Sequence, residues 1–248
     1  MSEHSKTLSA TRSWQKKIVE WKDDLFHLIY PNICLICEAE TTNKSLQICH
    51  FCENNLHLTF FESFLENSKL DKLFWGRINL EATYSLLYFK KENSTQTILH
   101  GIKYENKKNL AREMGKRIGK NIQTLPVFTT LDCLIPIPLH PRKEYKRGYN
   151  QSQLIAEGVA QQTHTTIFPH ALKRIKHGVS QTQKGRYKRW ENVQETFSVD
   201  PNALKNLKHI ALIDDVVTTG ATLEACAQEI KSLYPELKIS ILSLAIAN

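Results

Sequence analysis

The chain has 248 residues, enough for one large domain or a medium one with an appendage, and enough to bury a core. Hydrophobic residues make up 41% and charged residues 23%, which excludes a wholly disordered chain. No apolar stretch approaches the roughly 20 residues of a membrane-spanning helix, and Met1 to Lys17 lack the apolar core of a secretory signal. The expectation is therefore a soluble cytoplasmic protein with no membrane span.

In chain order, Trp14, Ile18, Trp21, Leu25 and Leu28 are spaced 4, 3, 4 and 3, one face of a helix. That face suits docking against another part of the chain or, as a weaker alternative, a membrane surface. Pro31 stops the helix, giving a first segment of residues 1–30. Cys34-Leu-Ile-Cys37 and Cys49-His-Phe-Cys52 follow, with 11 residues between the pairs. Two such turns complete a tetrahedral four-sulfur site, so residues 31–58 are read as a module around one structural Zn²⁺ per chain. Two disulfides are the rival reading, disfavoured in a reducing compartment, and His50 could replace one cysteine. Cys133 and Cys226 stand in apolar surroundings and read as core residues.

Residues 59–80 read as a connector. Ala82 to Phe89 reads as a strand, Lys107 to Ile122 as a helix, and Leu131 to Ile137 as a buried strand that leads into a loop. Asn150 caps a helix that runs to about Gln162. A charged stretch, 173–192, precedes a strand at Ile210 to Ile213, a helix at Ala221 to Tyr234 and a strand at Ile239 to Ile246. Alternation of this kind predicts α/β architecture with a parallel sheet wrapped by helices, here over 75–248.

Charge is concentrated. Residues 136–190 hold eleven Lys/Arg against two Glu, while the remaining residues carry 22 basic and 23 acidic side chains. This one-sidedness suits a polyanion, or simply a solvated basic face. The run Ile210-Ala-Leu-Ile-Asp-Asp-Val-Val-Thr-Thr-Gly-Ala-Thr222 carries the strongest chemistry. A buried strand delivers Asp214 and Asp215 to the sheet edge where ligands bind in open α/β folds. The backbone N–H groups of Thr218, Thr219, Gly220, Ala221 and Thr222, with the threonine hydroxyls and a helix N-terminus, form a phosphate cradle. The carboxylates suit sugar hydroxyls, directly or through Mg²⁺. Phosphate beside diol acceptors describes a phosphorylated ribose.

The stretch Ile213 to Thr222 resembles the phosphoribosyl-pyrophosphate signature of type I phosphoribosyltransferases. Pro136-Ile-Pro-Leu-His-Pro-Arg142, Lys146-Arg-Gly-Tyr-Asn-Gln151, Gln181-Thr-Gln183, Arg186, Arg189, Glu191-Asn-Val193 and the four-cysteine module resemble the ComF/GntX group of competence-related proteins. The resemblance covers residues 31–248 and implies a type I phosphoribosyltransferase-like fold with a small zinc-ribbon-like module. It implies that Asp214 and Asp215 bind the ribose 2′ and 3′ hydroxyls and that 218–222 hold the 5′-phosphate. Leu139, His140, Arg142 and Lys143, with Arg147 nearby, would face the pyrophosphate. A flexible loop, 178–192, would close over the site with Lys184, Arg186, Lys188 and Arg189 against the pyrophosphate charge, and Mg²⁺ would accompany phosphoribosyl pyrophosphate. The same resemblance implies a part in DNA uptake, with single-stranded DNA and a DNA-uptake helicase as partners. Interleaved cations and aromatics at 143–149 and 186–190 suit stacking of single-stranded bases. Two readings follow: a phosphoribosyl transfer enzyme with an unspecified acceptor, or a non-catalytic DNA-handling protein that uses the ribose-phosphate pocket for binding or regulation.

Overall fold

A computed structural model of the chain describes residues 31–41, 47–63, 68–175 and 196–247. The helix expected at 14–28 and the loop 178–192, with Lys184, Arg186 and Arg189, lie outside the described residues. The chain divides into two compact units, Met1–Asn55 and Leu56–Asn248. No helix among the described residues is long and apolar enough to cross a membrane.

In the smaller unit a tight turn brings Cys34 N to Ala39 O (2.7 Å) and Glu38 N to Cys34 O (2.9 Å), closed by a bridge between Ile33 and Glu40. A short helix, α1 (His50–Asn54), follows; its cap is Cys49, whose side chain accepts from Cys52 N. The buried hydrophobic residues described here are Cys34, Ile48 and Cys52, far too few for an apolar core.

The larger unit is built on a five-stranded parallel sheet in the order β1 (Ala82–Phe89), β7 (Lys238–Ala247), β6 (His209–Val217), β2 (Cys133–Pro136), β3 (Thr166–Ile167). β6 and β7 are near-continuous apolar runs because both faces of a parallel sheet are covered. Two short strands, β4 (Leu172–Ile175) and β5 (Thr196–Val199), pair antiparallel on their own. The outer edge of β1 is shielded by residues 57–59, with Tyr88 N donating to His57 O at 2.8 Å and Thr59 N to Leu86 O at 3.0 Å. The stretch expected to be a connector holds α2 (Lys69–Phe74), capped by Ser68, which buries Leu70 and Phe74.

Helices α3 (Ser94–Tyr104) and α4 (Lys108–Ile122) carry the chain from β1 to β2. α5 (Pro141–Arg147) and α6 (Gln151–Thr163) lead from β2 to β3, and α7 (Ala221–Leu233) from β6 to β7. α4 buries Leu110, Ala111, Met114, Ile118 and Ile122 on one stripe. It packs on α6 through glycines. A Cβ on Gly115 would sit 2.2 Å from Ile155 O, and one on Gly158 would sit 2.0 Å from Arg112 O. Both obstacles are backbone, so the helices must separate to admit a methyl group. Gly158→Ala is therefore expected to destabilise the larger unit by about 1–3 kcal/mol or more, read as a lowered urea midpoint at unchanged m-value; an unchanged midpoint would contradict this packing.

Asn150 caps α6 as expected, accepting from Ser152 N. The segment 139–143, expected as a loop, instead enters α5: Pro141 occupies the first turn, His140 caps it, and Gly148 at φ 76 ends it. The strand expected at 210–213 is longer. Pairing with β7 continues to Val217 opposite Ile246, so Asp214 and Asp215 sit inside β6 and not after it.

Candidate functional site

From β2 the chain moves outward to β3, whereas from β6 it moves the other way to β7. Parallel crossovers are right-handed as a rule, so two that run in opposite directions put their helices on opposite faces, and such a switch in strand order is where open α/β sheets form a crevice at the C-terminal ends of the strands, here β2 and β6. The segments leaving those ends are 137–140 and 218–220. Both segments leave the C-terminal edge of the sheet, although β6 continues to Val217 beyond the Pro136–Ile213 pair that ends β2.

Asp214, Val216, Val217 and residues 218–223 line one concavity there. Gly220 is the N-cap of α7 at φ 74, a left-handed conformation that glycine takes without strain. Thr218, Thr219 and Ala221 are exposed, and Thr219 Oγ1 accepts from Ala221 N at 3.4 Å. Asp214 Oδ1 accepts from Ser152 Oγ at 3.1 Å and from Asp215 N at 2.8 Å. Both of these hydrogen bonds fall on Oδ1, leaving Oδ2 to accept from a ligand. Burial, then the neighbouring Asp215 carboxylate, push the Asp214 carboxyl up to about 7.

Asp215 is handled differently. Successive residues of a strand face opposite ways, and Asp215 is 4% exposed, with Lys103 Nζ from α3 2.9 Å from its Oδ2. The structure brings Asp214 and 218–222 together but does not bring Asp215 into their concavity. Leu139 and His140 follow the end of β2, and His140 Nδ1 accepts from Arg142 N. Arg142 and Lys143 are exposed on α5, and Arg147 stacks over Tyr104 at 5.5 Å while donating to Gln151.

The second constellation is the cysteine cluster. The sulfurs of Cys34, Cys37, Cys49 and Cys52 lie within 4.8 Å of one another, and Cys37 and Cys49 are 3.6 Å apart. A tetrahedron with metal–sulfur bonds of about 2.3 Å has edges of about 3.8 Å, so the set fits zinc. All four are free thiols, so the disulfide alternative is not adopted, and His50 lies outside the cluster, facing Glu53 at 3.6 Å. Backbone N–H groups of Ile36 and Cys49 point at Cys34 Sγ at 3.4 and 3.3 Å. Burial acts to raise the Cys34 thiol, but backbone donors outweigh it and bring it down to about 6. Cys133 and Cys226 are fully buried, as expected of core residues.

Several relatives carry the sequence over most of its length. Competence protein F of Haemophilus influenzae is 23% identical over 226 residues, which is 89% of this chain and 93% of that protein. DNA utilization protein YhgH of Escherichia coli K12 is 22% identical over 221 residues, 81% of this chain and 91% of that protein. Competence protein ComFC of Bacillus subtilis is 36% identical over 95 residues, 38% of this chain and 36% of that protein. These relatives support the ComF family. No family model matches the chain.

Four residues near the crevice escaped the sequence reading as partners of the site. Ser152 and Lys103 hold the two carboxylates. Arg174 on β4 lies over Phe197 at 5.7 Å; burial lowers its guanidinium from the usual range, against the pull of Cys226 and Asp214. Arg77 donates to Thr219 O at 2.8 Å. A Ser two residues after a capping Asn was the one local signal available for Ser152. The others are long-range pairings that leave no trace in spacing.

Proposed function

We propose that this chain serves competence or DNA utilization, and that its crevice binds phosphoribosyl pyrophosphate together with Mg²⁺. The observation that carries the reading is the single concavity shared by Asp214 and residues 218–223 at the strand-order switch. The turn offers convergent backbone donors, threonine hydroxyls and the positive end of a 13-residue helix to the 5′-phosphate. Asp214 Oδ2 accepts from a ribose hydroxyl. Asp215, paired with Lys103, shapes the site from the other face of β6. Arg142, Lys143 and Arg147 supply cations beside the end of β2 for the pyrophosphate, joined by Lys184, Arg186 and Arg189 from the segment outside the described residues.

In transfer, the bond between ribose C1 and pyrophosphate breaks, the electron pair leaves with pyrophosphate, and an acceptor nucleophile captures the cationic ribose carbon. Such a step needs stabilised charge on the leaving group more than a strong base. Bound Mg²⁺ would neutralise pyrophosphate oxygens. This chain's residues bind the phosphate, fix the sugar and shield the reacting carbon from water.

Calorimetry with phosphoribosyl pyrophosphate and Mg²⁺ is expected to show saturable binding that Asp214→Ala plus Asp215→Ala removes; equal affinity in the double variant would reject the pocket. Pyrophosphate release in the presence of purines, pyrimidines and amines then tests turnover. A second reading, single-stranded DNA binding, is favoured by Tyr145, 93% exposed on the basic helix α5, and by Tyr104, 69% exposed beneath Arg147. Tyr149 does not share it, because its hydroxyl donates to Ile102 O and its ring lies under Lys108. Fluorescence titration with labelled single strands at several salt concentrations separates the two, and no binding at low salt rejects the DNA reading.

A further inference from the structure

We infer that Arg77 is the positioning residue of the 218–222 turn, holding the Thr219 carbonyl outward and cancelling the charge of Glu224. The inference deepens the reading of that turn as the 5′-phosphate cradle and rests on it. Arg77 follows α2 by three residues and is absent from the walls of the concavity. From behind the turn, its Nη1 donates to Thr219 O at 2.8 Å and to Leu73 O at 3.1 Å, and its Nη2 pairs with Glu224 Oε2. The guanidinium thus ties the end of α2, the turn and the first turn of α7 together.

Two physical consequences follow. An anion cradle needs N–H groups inward and carbonyls outward, because a carbonyl oxygen turned toward a phosphate repels it. Arg77 gives the Thr219 carbonyl a charged donor on the outer side. Glu224 suits the dipole of a helix start, but its carboxylate competes with any anion bound at that same end. Pairing with Arg77 removes the competition. Phe74 completes the support, since a Cβ on Gly220 would meet Phe74 Cε1 at 2.8 Å, and Arg77 lies 5.9 Å from the Phe74 ring centre.

The test uses the full chain with Arg77→Met, Arg77→Lys, Glu224→Gln and the Arg77→Met/Glu224→Gln pair, titrated with phosphoribosyl pyrophosphate and Mg²⁺. Arg77→Met is expected to weaken binding about tenfold or more, by loss of charge-assisted donors and release of the Glu224 charge at the start of α7. Glu224→Gln alone should bind at least as tightly as wild type, and the double variant should recover part of the loss. A role confined to bracing the fold predicts no recovery, because Glu224→Gln also breaks the pair. Hydrogen exchange at residues 218–223 without ligand should speed up in Arg77→Met. Should Arg77→Met fail to fold, Arg77→Lys, with the charge kept and the fork lost, carries the test through an intermediate loss. Wild-type affinity in Arg77→Met, or in Arg77→Lys where Arg77→Met does not fold, overturns the inference alone, as does a double variant no better than Arg77→Met. A wild-type chain that binds no phosphoribosyl pyrophosphate overturns the cradle and the inference together.

Discussion

Asp214→Asn is expected to weaken phosphoribosyl pyrophosphate binding about a hundredfold while making the free protein more stable at pH 8. The binding loss follows from chemistry at Oδ2. A carboxylate accepts from a sugar hydroxyl there, whereas an amide nitrogen presents hydrogens, and hydrogen bonds to a charged acceptor are worth about 1.5–3 kcal/mol. The stability gain follows from linkage. Burial and the Asp215 charge raise the Asp214 carboxyl to about 7, against about 3.9 in an unfolded chain. Between those values the folded chain holds a proton that the unfolded chain has released. The contribution of this group is therefore full below about pH 4 and is lost as the pH rises through 7, a span worth at most about 4 kcal/mol. Asparagine is neutral throughout, and its Oδ1 keeps both the Ser152 and the Asp215 N–H hydrogen bonds. Melting curves should show Asp214→Asn above wild type at pH 8, by an amount on the order of 10 °C, and level with it near pH 4. Wild-type affinity should rise from pH 6 to 8 as the carboxylate ionises. A variant that binds like wild type would remove Asp214 from the sugar site, and one that melts lower at pH 8 would contradict the raised carboxyl.

Asp214 also shows where sequence reasoning reached and where it stopped. The run that places it was legible: four apolar residues, two acids and a threonine-glycine turn read as a strand delivering polar groups to an edge. Its length was not, because pairing of Val216 and Val217 with Ala245 and Ile246 is decided by a strand elsewhere in the chain. The opposite fates of the two acids follow from strand alternation once the strand is known to continue. β1 and α4 were readable because eight and fifteen residues express a full period. α2, with six residues and two buried side chains, is too short to express one, and it hid inside an apparent connector. Arg77 hid with it, its carbonyl partner lying 142 positions away. β4 and β5 were missed for a related reason, as each offers only four residues and finds its partner across a long insertion.

Chelation of the chain, or Cys34→Ser with Cys37→Ser, is expected to release one zinc per chain and to open residues 31–55 to hydrogen exchange while the 56–248 unit stays protected. The described apolar core of this unit is Cys34, Ile48 and Cys52, so two of its three members are themselves ligands. Among the described residues, loss of a bound ion would leave one isoleucine and a five-residue helix, against an ordering cost of about 1–2 kcal/mol per backbone residue. Structural zinc supplies on the order of 10–16 kcal/mol in comparable peptides, enough to reverse that balance. A bound ion would also settle a local conflict. Burial, and then the neighbouring thiols, push Cys52 up, whereas the backbone donors hold Cys34 down to about 6. Four sulfurs this close cannot all ionise unaided, so metal uptake at pH 7.5 should release about three protons, not four, and affinity should climb with pH. Both are measurable by calorimetry in two buffers of different ionisation enthalpy. A zinc-free chain with residues 31–55 still protected would overturn the assignment of a structural ion to the cluster.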